Sequence, residues 1–79
     1  MKSPQQQQEE LIKLSLAKMP FGKFKGRYLS EVPEHYLLWF RQQGFPPGNL
    51  GKQLELVLEL KINGMEHLLR TIRSKYSQQ

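Results

Sequence analysis

Between Phe21 and Tyr28 the chain reads FGKFKGRY, with Lys23, Lys25 and Arg27 on alternate positions and Phe24 and Gly26 between them. Alternate side chains of an extended backbone share a face, so the three cations would form one row. Phe24 would lie at the turn tip or project to the other side. Cations for phosphates beside an exposed ring for a base is the chemistry that commonly holds single-stranded nucleic acid. Lys18 adds to the same field. Read structurally instead, these residues are a solvated basic turn whose glycines serve backbone geometry alone.

The charge distribution bears on that choice. From Leu11 to Ser30 there are five cations, Lys13, Lys18, Lys23, Lys25 and Arg27, and no acid, so this stretch sums to +5, the net charge of the whole chain. Such clustering makes a local field that attracts polyanions or anionic lipid. A few phosphate contacts support only weak non-specific binding, about 10⁻⁴ to 10⁻⁶ M near physiological salt. A surface of this kind acts best as an accessory to something else.

Other chemistry finds little material. Gly22-Lys23 lacks the spacing of a phosphate-binding loop. Gly44, Gly48 and Gly51 follow no strand, and Pro46-Pro47 between them forbids a dinucleotide fingerprint. The chain has no Asp and no Cys, and its seven acids are all Glu. Glu55 and Glu59 lie one helical turn apart without further ligands, which reads as a solvated face. His35 and His67 have no second histidine at metal spacing. The five serines show no nucleophile-elbow pattern. Catalytic, cofactor and metal sites are therefore all expected to be absent. Lys61 is the one charge inside a helix's apolar stripe, and the expectation is that it snorkels to water over its aliphatic stem.

Seventy-nine residues make one domain that buries about 60–65% of its unfolded surface. A core that small favours binding over an enclosed catalytic pocket. The absence of Cys suits a reducing cytosol, and no run approaches the ~18 apolar residues of a membrane span. A cytoplasmic monomer without membrane contact is expected.

The elements that must position the candidate residues follow from caps and periodicity. Ser3-Pro4 reads as an N-cap and first helical residue. Leu11, Ile12, Leu14, Leu16 and Met19 share an apolar face, and Pro20 ends the helix at Met19. Phe21 to Leu29 is read as a tight β-hairpin, Phe21 pairing across to Tyr28 and Gly26 taking a positive φ. Pro33 begins a second helix, EHYLLWFRQQ, which Gly44 stops. That helix is apolar nearly all round, so it is buried on several sides or exposes a patch. Asn49 reads as the N-cap of LGKQLELVLELKI, with Leu50, Leu54, Val57 and Leu58 as core and Leu56 and Leu60 beside them. Asn63-Gly64 closes it, and MEHLLRTIRSKYS forms a fourth helix with Met65, Leu68, Leu69, Ile72 and Tyr76 inward. The expected fold is mainly α (a small α+β), four helices with a short β-hairpin between the first and second. Residues 1–10 are expected as a frayed Gln-rich segment and 11–77 as the domain.

PFGKFKGR followed by YLLW resembles a small bacterial family of uncharacterised function described as putative quorum-sensing-regulated virulence factor. The residues that carry the likeness are Phe21, Gly22, Lys23, Lys25 and Gly26, then Tyr36, Leu37 and Trp39, and it runs from about Lys18 to Ile72, including ELKINGME. The description concerns regulation of expression and implies no catalytic residues. The long Gln-rich start lies outside the pattern. Similar segments occur joined to exonuclease domains of the proofreading type, which implies a nucleic-acid accessory role by analogy.

Two functions follow as expectations. The first is a weak, sequence-tolerant nucleic-acid-binding module, for single or double strands, using Lys18, Lys23, Phe24, Lys25 and Arg27. The alternative is a protein-interaction module, self-association included, through Leu38 and Trp39 on the YLLWF helix, since exposed apolar patches mark partner sites.

Overall fold

The structure, a computed structural model, describes residues 3–76. Four helices carry it: α1 (Pro4–Leu16), α2 (Glu34–Gln43), α3 (Asn49–Ile62) and α4 (Glu66–Tyr76), with a 3₁₀ turn at Leu29–Glu31 between α1 and α2. α1 packs chiefly on α4, and α2 on α3. The expected division at its outer bounds, residues 1–2 and 77, lies outside the described residues.

Ser3 caps α1 through a reciprocal box: the Gln6 N–H donates to Ser3 Oγ at 3.2 Å, and the Ser3 N–H donates to Gln6 Oε1 at 3.1 Å. Two orphan amides are satisfied this way. The helix ends at Leu16, three residues before Met19, because Ala17 turns extended at φ −68°, ψ 140°. At the other boundaries, Pro33 and Gly44 flank α2 as its caps, and Asn63 caps the end of α3. The α3 N-cap is Gly48, with Asn49 already helical, and no side chain caps that end.

The expected β-hairpin is not formed, and no strand exists among the described residues. Residues 17–19 meet 26–29 through one isolated antiparallel bridge, Lys18 opposite Tyr28. The Met19 N–H donates to the Arg27 carbonyl at 2.8 Å, the Gly26 N–H to the Met19 carbonyl at 2.8 Å, and the Leu29 N–H to the Ala17 carbonyl at 2.9 Å. Pairing stops there because the Arg27 N–H, which a ladder would direct at the Met19 carbonyl, donates to the Phe24 carbonyl instead, and the Gly26 N–H takes its place. The chain then curls through two turns, the Lys25 N–H donating to the Gly22 carbonyl and the Arg27 N–H to the Phe24 carbonyl. Gly26, at φ 87°, returns it to the bridge in a conformation that side-chain-bearing residues resist. Phe21 does not pair across to Tyr28. The result is a looped excursion on a single bridge, and the fold is mainly helical.

The core is aliphatic. Leu14, Met19, Leu29, Val32, Leu37, Leu54, Val57, Leu58 and Leu69 are buried, and no aromatic ring is among them. Leu50 and Leu60 are half-buried beside this core, whereas Leu56 and Met65, expected inward, are exposed. The most confined backbone contact lies where the Phe45–Pro46 loop crosses α3. A Cβ at Gly51 would stand 1.9 Å from the Pro46 carbonyl oxygen, so only glycine lets the helix and loop touch. Gly51→Ala must displace backbone, and overpacking of this kind typically costs about 1–3 kcal/mol. Urea unfolding should therefore show a lower midpoint, and an unchanged midpoint would mean that the Pro46–Pro47 loop yields freely.

Candidate functional site

The loop 20–27 places its cations against a cluster of rings. Phe24 is half-buried and meets Tyr36 edge-on, with centroids 4.8 Å apart. Tyr36 lies 5.7 Å from Trp39 and 6.2 Å from Phe40, and Phe40 lies 6.3 Å from Phe21 and 5.7 Å from Phe45. Six rings from the loop, α2 and the following turn thus form one cluster outside the aliphatic core. Two of them face solvent: Phe21 is 44% exposed and Trp39 52%.

Lys23, Lys25 and Arg27 are exposed, as expected, but the backbone that carries them is turned and not extended. Lys23 Nζ lies 5.7 Å from the Phe24 ring centroid, and the Arg27 guanidinium carbon 6.0 Å from it. Both contacts fall within cation–π range. Phe24 is therefore no free ring at a turn tip; it packs inward and holds two of the cations around it. Lys18 sits across the bridge, 5.1 Å from the Tyr28 ring. None of Lys18, Lys23, Lys25 and Arg27 makes an ion pair among the described residues. Of the alternative pair, Leu38 is half-buried against the core and Trp39 is the exposed member.

The base of the loop is fixed by two cations that the bridge residues do not supply. Ser30 is buried within the 3₁₀ turn. A further 3₁₀ bond from its carbonyl would need the N–H of residue 33, which is proline. Lys61 fills that role from α3: its Nζ donates to the Ser30 carbonyl at 2.8 Å and to Glu66 Oε2 at 2.6 Å. The Lys61 side chain is only 6% exposed, so it does not snorkel; its charge ends on these two acceptors. From α4, Arg73 donates to Ser30 Oγ at 2.7 Å and to Glu31 Oε1 at 2.8 Å, and its guanidinium stacks 4.1 Å from the Tyr28 ring. No buried side-chain nitrogen or oxygen lacks a partner among the described residues.

Elsewhere, Glu55, Glu59, His35 and His67 are exposed. Among the described residues no three His or Glu side chains gather as a metal site, and no helix is long and apolar enough to cross a membrane.

The model of one protein family matches residues 7–72, and its description is putative quorum-sensing-regulated virulence factor. The chain belongs to that family. The match bears out the likeness read from FGKFKG and YLLW, and it begins earlier than Lys18, taking in part of the Gln-rich start. The chain is also similar to the uncharacterized protein YpeB of Escherichia coli strain K12, at 43% identity over 68 residues, 85% of this chain and 94% of the relative. YpeB of Escherichia coli O157:H7 is similar to the same extent. No solved structure matches.

The Ser30 anchor has a measurable pH signature. The hydrogen bond from Lys61, and then its charge, hold the Glu66 carboxyl below its ordinary 4.5 against the opposing effect of burial, with smaller help from Arg70 and His67. A carboxyl depressed in the folded state contributes stability fully above its unfolded value and loses it as pH falls through the folded one. Stability should thus decline from about pH 4.5 downward, and Glu66→Gln should remove part of that decline. Parallel acid profiles for wild type and variant would refute a contribution from the pair. Lys61→Met leaves the buried Ser30 carbonyl without its donor, and an unsatisfied buried group costs about 1–3 kcal/mol. Urea unfolding at neutral pH reads that loss.

Proposed function

We propose that this domain is a sequence-tolerant nucleic-acid-binding accessory module whose binding face is the 20–27 loop together with the outer side of α2. The observation that carries the reading is the meeting of unpaired cations and exposed rings. Lys23, Lys25 and Arg27 make no ion pair among the described residues, and the adjoining ring cluster leaves Phe21 and Trp39 in solvent. Cations at the margin of an aromatic surface suit a phosphate backbone with its bases turned inward. Lys18 adds attraction from across the bridge.

A second reading has its own support. Trp39 is the most exposed aromatic of the cluster, at 52%, and a partner protein could cover it. That reading now leans on Trp39 without Leu38, which is half-buried.

An amide chemical-shift titration with a short single-stranded DNA, at about 50 and 200 mM salt, tests the first reading. Salt-sensitive shifts should fall on residues 18–28 and on α2. Charge reversal in Lys23→Glu/Lys25→Glu should weaken binding and flatten its salt dependence, because each lost phosphate contact lowers the slope by about 0.7 for a single strand. Unchanged binding by that variant would sink the proposal. Silence of the whole face, with a mass that rises with protein concentration and returns to the monomer in Trp39→Lys, would favour the second reading.

A further inference from the structure

We infer that the face selects unpaired strands over duplex, with Phe21 and Trp39 as two stacking platforms and Phe24 as the residue that positions the cations beside them. The inference rests on the nucleic-acid reading and adds to it the class of ligand.

An exposed ring gains most from a base by stacking on its face. In a duplex both faces of each base are covered by stacked neighbours, and a protein meets only base edges in the grooves. Single strands can splay their bases onto aromatic side chains. Phe21 and Trp39 come from different segments, yet both border Phe40, at 6.3 and 6.1 Å between centroids. Phe40 is half-buried and contacts both, while 44% of Phe21 and 52% of Trp39 stay open. These are two platforms on one support, suited to two bases of one strand.

The cations lie on the same cluster. Phe24 packs on Tyr36, which packs on Trp39, and the Phe24 ring keeps Lys23 and Arg27 within 5.7 and 6.0 Å. Phosphates of a strand whose bases rest on Phe21 and Trp39 would pass these charges. Duplex could meet the cations but would gain nothing from the rings.

Fluorescence anisotropy compares a labelled mixed-sequence single strand of about 12 nucleotides with the same strand annealed to its complement. Wild type should bind the single strand about tenfold or more tightly than the duplex. Because Trp39 is the sole tryptophan, its own emission should change on adding single strand and stay constant on adding duplex. Trp39→Leu and Phe21→Leu should each lower single-strand affinity about fivefold or more and leave duplex binding unchanged. Trp39→Phe, which keeps a ring, should retain most of the affinity; should Trp39→Leu not fold, Phe21→Leu and Trp39→Phe carry the comparison. Phe24→Leu should flatten the salt dependence of single-strand binding while Phe24→Tyr preserves it. Equal, salt-sensitive binding of both forms would overturn the inference and leave the nucleic-acid reading standing. A single-strand preference that survives loss of both rings would overturn the platforms. Absence of binding to either form would overturn both readings together.

Discussion

The fold turns on the carbonyl and hydroxyl of Ser30. Residues 17–32 contain no regular element beyond one 3₁₀ turn, one bridge and two loop turns, and such a segment has few backbone bonds to hold it. Pro33 removes the N–H that would have satisfied the Ser30 carbonyl locally. Lys61 and Arg73 arrive from α3 and α4 and fasten both polar groups of Ser30 at once. Each is itself neutralised, Lys61 by Glu66 and Arg73 by Glu31. Removing one partner from a buried arrangement of this kind costs more than the net value of forming it. The anchor therefore acts mainly to fix the seating of the loop: another seating would leave the Ser30 carbonyl without Lys61 and Arg73 without Ser30 and Glu31.

That constraint reaches the candidate site through the backbone. Ser30 fixes Leu29, whose N–H closes on Ala17, and the bridge fixes Met19 and Gly26 in turn. Leu29 and Met19 are fully buried, so the loop is gripped from below by the core and from the side by the anchor. The cations between residues 23 and 27 project from a short loop closed by that bridge. Closing the loop leaves less chain for a ligand contact to order, which matters for a face with only a few charges and two open rings.

Much of this was legible in the sequence, for identifiable reasons. Ser3-Pro4, Pro33, Gly44 and Asn63-Gly64 mark helix ends through local backbone chemistry, and local chemistry is what a sequence displays. The periodicity of α3 and α4 found Leu54, Val57, Leu58 and Leu69. What failed depended on distance. Alternation in GKFKGRY resembles a strand, but a strand needs a ladder, and the turns at Gly22 and Phe24 leave only one bridge. Lys61 looked like a snorkelling lysine because Ser30, 31 residues earlier in the chain, gives no sign of being its acceptor. Arg73 and Ser30, 43 residues apart, were equally silent. On α2 the excess of apolar residues was plain, yet which one stays outside depends on where the loop lands. Phe24, expected outward, covers Tyr36, and Phe21, expected as a cross-strand partner, is left open.

The segregation of residue types gives the arrangement its logic. Six of the eight aromatic residues gather on the loop, α2 and the turn that follows it, while the buried core is Leu, Val and Met alone. Tyr28 and Tyr76, the other two, lie beside cations. A small domain gains most from burying its largest side chains, since each fully buried large apolar side chain contributes about 1.5–3 kcal/mol. Leaving Trp39 and Phe21 half in water forgoes part of that gain in a chain with little to spare. The aliphatic core closes without them, so their placement is not forced by packing. Phe40 meets both of them and Tyr36 meets Trp39, while Phe24 and Phe45 pack on those two rings in turn. Exposure combined with firm support distinguishes a presented surface from a loose end of the core, and it is why the ring cluster, rather than the charge excess alone, is the feature from which function is best argued.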